Sequence, residues 1–173
     1  GGVGKTTTVV NLAYSLSLHN KKVLIVDFDP QGNASSGFGF IPQDHELTSY
    51  NVLLNDCNPN DAVKNFERVD IIPSNVNLSG ATFEIVNLKD KEFYLKNALD
   101  SIKNSYDYIL IDTPPSLGIL TINSLVASDS VLIPVQSEYY ALMGLTQLMR
   151  TIKIIKEKFN PSLTLKGVVM TMY

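Results

Sequence analysis

The first eight residues combine side chains and glycines in a way that suits the binding of phosphate groups. The run Gly1–Thr8 reads Gly-Gly-Val-Gly-Lys-Thr-Thr-Thr and leads directly into a helical pattern. Glycines allow the backbone to wrap around an anion with its N–H groups pointing inward. Lys5 adds a mobile charge that reaches terminal phosphates, and Thr6 offers a hydroxyl to Mg²⁺. The spacing therefore predicts a loop that binds nucleotide phosphates at a helix N-terminus.

The complete loop pattern has a further glycine five residues before Gly4, and such a loop follows a β-strand. The sequence shows neither ahead of Gly1. We therefore expect a fragment that begins inside its own phosphate-binding loop, with the first strand of the sheet missing. A flexible glycine-rich tail is the alternative interpretation, but a tail does not explain the lysine, the threonines and the apolar stripe that follow.

Three aspartates come directly after two predicted strands. Asp27 and Asp29 follow the apolar run 23–26, and Asp112 follows the apolar run 108–111. Because ligands bind beyond the carboxyl ends of strands in parallel α/β sheets, we expect all three carboxylates to lie beside the glycine-rich loop. The alternative is that these acids only end their strands in solvated turns.

Each of these side chains has a predicted role in phosphoryl transfer. We expect Asp29 to orient and activate the water that attacks the γ-phosphate, since such a step needs positioning more than a strong base. Asp27 is predicted to belong to the magnesium shell, and Asp112 to hold a metal-bound water. The candidate catalytic residues are Asp29 and Lys5; the candidate nucleotide-binding residues are Gly1, Gly2, Val3, Gly4, Lys5, Thr6 and Thr7; the candidate metal residues are Thr6, Asp27 and Asp112.

Composition sets limits on the class of protein. The chain has 173 residues, of which 45% are hydrophobic and 18% charged, as expected for one globular domain. Its net charge of −3 argues against a strongly basic surface for nucleic acid over these residues. Cys57 is the only cysteine, which excludes an intrachain disulfide and fits a reducing cytosol. The apolar stretch 117–135 is interrupted by polar residues and does not predict a membrane span.

Apolar periodicity predicts alternating helices and strands, and glycines near Gly37 and Gly39 predict a loop. This alternation indicates an α/β fold with a mostly parallel, twisted sheet and helices on both faces. We expect a single domain over 1–173, truncated at both ends. The predicted helices span about 6–19, 49–54, 61–66, 79–87, 92–103, 120–126 and 142–159, and the predicted strands about 23–26, 69–73, 108–111, 130–135 and 165–171.

Four stretches, in this order, resemble the ParA/Soj family of partition ATPases, which belongs to the deviant Walker A class of P-loop proteins. They are Gly1–Thr7, Val26–Asn33, Ile111–Pro115 and Pro134–Leu142 with Gly144-Leu145. The resemblance covers the whole chain and implies a P-loop NTPase fold with one ParA-type nucleotide-binding domain. It implies ATP and Mg²⁺ as cofactors and hydrolysis of ATP as the activity.

The same resemblance implies how such a protein works in the cell. It implies an ATP-dependent homodimer that binds DNA without sequence preference, that is stimulated by a ParB-type partner, and that moves chromosomes or plasmids. The protein is then expected in the cytoplasm, associated with the nucleoid when ATP is bound. In the family a signature lysine precedes the first glycine of the loop, and most DNA-contacting residues lie further along than Tyr173.

Three other interpretations stay open at this point. A MinD-like, membrane-associated ATPase shares the glycine-rich loop and the acids at the two strand ends. It differs by a C-terminal amphipathic helix. A reductase of the nitrogenase iron-protein type needs cysteines from each subunit for its cluster, and the single Cys57 disfavours it. A nucleotide switch, in which binding rather than turnover matters, differs from an ATPase only in its hydrolysis.

Overall fold

The computed structural model describes residues 2–136 and 141–171, and of residues 141 and 142 the backbone alone. Helices and strands alternate along these ranges, as the periodicity predicts. The helices are α1 (Lys5–Leu18), α2 (Asn33–Gly37), α3 (Ser49–Leu54), α4 (Asn77–Ile85), α5 (Tyr94–Asp100), α6 (Ile119–Ala127) and α7 (Ala141–Lys158). The strands are β1 (Val23–Asp27), β2 (Lys64–Asn65), β3 (Asp70–Ile72), β4 (Tyr108–Asp112), β5 (Ser130–Gln136) and β6 (Thr164–Thr171).

Strand β1 lies inside a four-stranded sheet of order β2-β3-β1-β4. It pairs in parallel with β3 and β4, while the short β2 pairs antiparallel with β3. Every residue of β1 is buried, which explains why its sequence is a continuous apolar run without alternation. The register with β4 sets Asp27 directly beside Asp112, so both carboxylates come to the same edge of the sheet.

Alternate residues of β1 pack into two hydrophobic clusters on opposite faces of this sheet. Leu24 and Val26 join the larger cluster, which contains buried side chains of α3, α4, α5 and α6. Val23 and Ile25 join a smaller cluster with Ala13 of α1. The sheet is therefore covered by helices on both faces, and this agrees with the predicted fold class.

Strands β5 and β6 form a second, parallel sheet with its own core. Their pairing has one irregularity in register, between Val131 and Leu132. Ile133 of β5 packs with Leu125 of α6 and with Ile152 and Ile155 of α7. This third cluster fixes α6 and α7 to the two-stranded sheet.

A cleft of about 1200 Å³ lies between the two sheets. Strand β4 forms one wall, β5 forms the other, and Val9, Leu12 and Leu16 of α1 line it as well. Strands β4 and β5 are the end strands of their sheets within the described residues. The apolar residues 109–111 of β4 are only partly buried, although their sequence is typical of a fully covered strand.

Some predicted elements differ from the observed ones. The helix predicted over 61–66 is wrong: a 3₁₀ turn at Pro59–Ala62 is followed by the extended residue Val63 and by β2. Pairing with β3 outweighs the weak helical pattern there. The helix predicted over 92–103 is shorter, at Tyr94–Asp100, between two 3₁₀ turns. The loop predicted around Gly37 begins as the short helix α2.

A helix that spans a bilayer needs about 20 mostly apolar residues. None of the described helices is both long enough and apolar enough to do so.

The buried position of Phe28 gives a direct test of the core. Phe28 is fully inaccessible and belongs to the larger cluster, whereas Phe83 of α4 is 80% exposed. Phe28→Ala should lower the free energy of unfolding by about 3–5 kcal/mol, because it removes buried area and leaves a cavity. Phe83→Ala is the control and should change it by less than about 0.5 kcal/mol. Urea unfolding followed by circular dichroism measures both, and equal effects would contradict this packing.

Candidate nucleotide-binding site

The glycine-rich loop has the backbone conformation that its sequence predicts. Gly2 and Gly4 have φ angles of 83° and 85°, in the region that favours glycine. Gly4 is the N-cap of α1 and provides no side chain to cap its first N–H groups. Thr8 closes the first turn, since its amide and its hydroxyl both donate to the Gly4 carbonyl, at 2.9 and 2.7 Å. The N-terminus of α1 therefore has backbone donors available for an anion.

The second sheet holds this loop from its other side. The side-chain amide of Gln136 donates to the carbonyl of Gly2 at 2.9 Å, and the hydroxyl of Thr171 donates to the carbonyl of Val3 at 2.8 Å. Gln136 ends β5 and Thr171 ends β6. Sequence reasoning assigned neither residue a role in the site. The available signal was their place at the carboxyl ends of predicted strands, where ligands of parallel sheets bind.

The first sheet holds the start of α1 through Asp112. The hydroxyl of Thr6 donates to Oδ2 of Asp112 at 2.7 Å. The other oxygen, Oδ1, is buried and has no hydrogen-bond partner among the described residues. Burial raises the pKa of Asp112 to about 6, although the Thr6 hydrogen bond opposes the shift. A buried acceptor without a donor, beside a threonine hydroxyl, is a set of oxygens that fits Mg²⁺.

Asp27 is buried next to Asp112, and both of its oxygens accept hydrogen bonds. Oδ1 accepts from the amide of Asp29 at 3.3 Å. Oδ2 accepts from the amide of Ser35 at 2.8 Å and from its hydroxyl at 2.6 Å. Burial raises the pKa of Asp27, and the hydrogen bonds from Ser35 work in the other direction. The role of Asp27 in a magnesium shell stays a prediction, because the described contacts of this carboxylate are with protein donors.

Asp29 lies in a compact turn directly after β1 and is almost fully buried. Its Oδ1 accepts from the amide of Gln31 at 3.0 Å, and its carbonyl accepts from the amide of Gly32 at 2.9 Å. Gly32 has a φ of 61°, and a Cβ there would lie 2.9 Å from the carbonyl oxygen of Ser74. Both the φ angle and the close approach require glycine, so the turn that positions Asp29 depends on Gly32.

The charged members of the site are close enough to influence one another. The negative charges of Asp27 and Asp29 raise the pKa of Asp112, and the positive charge of Lys5 lowers it. The structure therefore brings together the predicted residues Lys5, Thr6, Asp27, Asp29 and Asp112. The predicted residues Gly2, Val3, Gly4 and Thr7 belong to the loop and the first turn of α1. Gly1 and the segment 137–140, which contributes to the family resemblance, lie outside the described residues.

Within the described ranges, no group of three or more His, Cys, Asp or Glu side chains is arranged to hold a metal ion by itself. A magnesium ion at Asp112 therefore needs other oxygens, such as the Thr6 hydroxyl, water and phosphate. This is the usual coordination of Mg²⁺ in nucleotide sites, where the protein supplies one or two ligands.

The fold and the loop define a P-loop nucleotide-binding protein. A family model described as "AAA domain" matches residues 1–165. The chain is 51% identical over 174 residues to the sporulation initiation inhibitor protein Soj of Bacillus subtilis (strain 168), covering 99% of this chain and 69% of that protein. It is 49% identical over 175 residues to the chromosome partitioning protein ParA of Myxococcus xanthus (strain DK1622), covering 100% of this chain and 62% of that one.

A solved structure has the same fold as this chain. The crystal structure of cobyrinic acid a,c-diamide synthase from Mycobacterium smegmatis with bound ADP and magnesium superposes with a TM-score of 0.96 at 37% identity, covering 100% of this chain and 71% of that one. The family model and the two sequence relatives show that the chain belongs to the ParA/Soj family of P-loop ATPases.

The raised pKa of Asp112 predicts a pH-dependent stability in the absence of metal. A carboxyl whose pKa is higher in the folded state than in the unfolded state stabilises the fold below its unfolded pKa, near 3.8, and loses that contribution as pH rises through about 6. Asp112→Asn should therefore reduce the decline in unfolding free energy between about pH 4 and pH 7, by up to about 3 kcal/mol.

Urea unfolding at several pH values, with a chelator present, measures this difference. Asp44→Asn, which removes a solvent-exposed carboxylate, is the control for the loss of one charge. An Asp112→Asn variant with the same pH dependence as the wild-type protein would show that Asp112 is not the group responsible.

Proposed function

We propose that the chain contains the catalytic nucleotide site of an ATPase that binds ATP with Mg²⁺ and hydrolyses its γ-phosphate. One observation carries this proposal: the Asp112 carboxylate accepts a hydrogen bond from Thr6, in the first turn after the glycine loop, and its buried Oδ1 has no partner in the part of the chain that the structure describes. That arrangement supports a cation site formed by oxygens beside the N-terminal backbone donors of α1. Asp29 follows the neighbouring strand and supplies a carboxylate beside it.

The loop residues bind the phosphates in this proposal. The positive φ angles of Gly2 and Gly4 turn the backbone, and the N-terminus of α1 adds its dipole to the charge of Lys5. Thr6 would bind the magnesium ion, and Asp112 would hold a water bound to it. When bound, the ion neutralises charge that develops on the phosphate oxygens.

Asp29 has the geometry of a residue that orients water. Its backbone is fixed by two hydrogen bonds. The amide of Asp29 donates to the Asp27 carboxylate, and the amide of Gly32 donates to the Asp29 carbonyl. One oxygen of its carboxylate accepts from Gln31, and the carboxylate retains further acceptor capacity for a water proton. A carboxylate held in this way positions an attacking water.

We also propose that residues 1–173 form the larger part of one nucleotide-binding domain. The cleft lies between β4 and β5, which are the end strands of the two described sheets, and α1 runs along one side of it. This arrangement suggests one sheet that lacks a strand between β4 and β5. A parallel strand from the same protein would pair with β4 and β5 there and cover the partly buried residues of β4. The relatives support this, since the chain spans only 69% of the Bacillus subtilis Soj protein and 62% of the Myxococcus xanthus ParA protein.

In the cell, we propose a role in moving chromosomes or plasmids to daughter cells. The names of the relatives, which include a chromosome partitioning protein, support this role. We propose that the protein forms an ATP-dependent homodimer in the cytoplasm, binds DNA without sequence preference and acts with a ParB-type partner. These parts of the proposal depend on the family resemblance.

The first test of the phosphate site is Lys5→Ala. Each charge-assisted hydrogen bond that Lys5 makes to phosphate contributes about 1.5–3 kcal/mol. We expect its loss to weaken ATP binding by roughly tenfold to a hundredfold. Isothermal titration with Mg²⁺ and a non-hydrolysable ATP analogue measures the affinity. Lys21→Ala is the matched control, because Lys21 follows the opposite end of the same helix and is exposed. Unchanged affinity in Lys5→Ala would contradict the loop assignment.

The second test separates binding from hydrolysis. Asp29→Ala should bind ATP with nearly wild-type affinity and hydrolyse it roughly a hundredfold more slowly or worse, because a positioned carboxylate contributes to the chemical step. Single-turnover hydrolysis measures the rate, and Asp44→Ala is the control. A variant with normal turnover would remove Asp29 from the mechanism. A wild-type protein that binds ATP without hydrolysing it, even with partner and DNA present, would favour a nucleotide switch.

A further inference from the structure

Ser35 is a buried serine at the centre of a hydrogen-bond network that links three segments. Its amide and its hydroxyl both donate to Oδ2 of Asp27, at 2.8 and 2.6 Å. The same hydroxyl accepts from the amide of Ser74 at 3.0 Å. Ser35 is fully inaccessible and lies in α2, immediately after the turn that carries Asp29. It thus connects the end of β1, the start of α2 and the residues after β3.

This network surrounds the turn of Asp29 on two sides. On one side, the Asp27 carboxylate that Ser35 holds accepts from the amide of Asp29. On the other side, Ser74 donates to Ser35 through its amide, while its carbonyl packs closely against Gly32. The Asp29 turn is therefore held in part by a serine that lies outside the phosphate loop.

We propose that Ser35 is a positioning residue for Asp29, acting through Asp27 and Ser74; this inference rests on the proposed ATPase function. Ser35 controls the rate of hydrolysis and has little influence on ATP affinity. The separation follows from the structure, because the phosphate loop is anchored by other groups, namely Gln136, Thr171 and the Thr6–Asp112 pair. None of these contacts involves Ser35.

Removal of the hydroxyl leaves two buried groups with fewer partners. Among the contacts of the described residues, Oδ2 of Asp27 then keeps only the Ser35 amide, and the amide of Ser74 loses its acceptor. Buried polar groups move to recover lost hydrogen bonds, and a displacement of about 1 Å in a reacting geometry is enough for a hundredfold loss of rate. We therefore expect kcat to fall by roughly tenfold or more while KM for ATP stays within about threefold.

The experiment compares Ser35→Ala and Ser35→Cys with Ser36→Ala in the full-length protein. Ser36 is the next residue of the same helix and is exposed, so it is a matched control for loss of a hydroxyl. Cysteine nearly keeps the volume of serine but is a weak donor, so Ser35→Cys decides the question if Ser35→Ala does not fold. The measurements are kcat and KM with Mg²⁺-ATP, affinity for an ATP analogue, and amide hydrogen exchange over residues 29–35.

The expected result is a low kcat with nearly unchanged ATP affinity in both Ser35 variants, faster exchange over 29–35, and wild-type behaviour of Ser36→Ala. Equal kcat values in the Ser35 and Ser36 variants would overturn the inference. Loss of ATP affinity in parallel with kcat would also overturn it, because Ser35 would then support the whole site. If the wild-type protein hydrolyses no ATP, the proposed function fails, and hydrogen exchange alone decides whether Ser35 holds the turn.

Discussion

The site depends on the parallel pairing of β1 with β4. Their register sets Asp27 beside Asp112, so that two carboxylates are buried at adjacent strand ends. Burial of two acids so close together disfavours their charged forms, and the pKa of both is raised. The surrounding groups reduce this cost in different ways. Asp27 accepts from Ser35 and Asp29, whereas Asp112 accepts from Thr6 and has one oxygen without a partner within residues 2–136 and 141–171.

That difference gives the two aspartates distinct surroundings. A carboxylate whose oxygens are occupied by protein donors serves to fix the backbone around it. A carboxylate with a buried, open oxygen gains most from a cation, because the cation offsets both the desolvation and the repulsion from its neighbours. The same sheet edge thus holds one acid whose two oxygens accept from protein donors and one acid with an oxygen that has no partner among the described residues, and the sequence pattern alone does not distinguish them.

Sequence reasoning succeeded where the signal is local. The glycine loop, α1, β1 and β4 follow from residue type, spacing and uninterrupted apolar runs, and these elements bring Lys5, Thr6, Asp29 and Asp112 together. It failed at 61–66, where pairing with β3 decides the conformation. It also assigned no role to Ser35, Gln136 and Thr171. Their contacts join residues 39, 134 and 168 positions apart, so only the folded chain shows that these side chains meet Ser74 and the loop.

The phosphate loop also connects the two sheets. Thr6 donates a hydrogen bond to Asp112 at the end of β4. The carbonyls of Gly2 and Val3 accept hydrogen bonds from Gln136 and Thr171, at the ends of β5 and β6. Helix α1 continues from the loop along the cleft between β4 and β5. A nucleotide held by this loop would therefore touch a segment that both sheets restrain. Because ligands stabilise the conformation they bind, phosphate binding would favour a fixed arrangement of the two sheets around the loop.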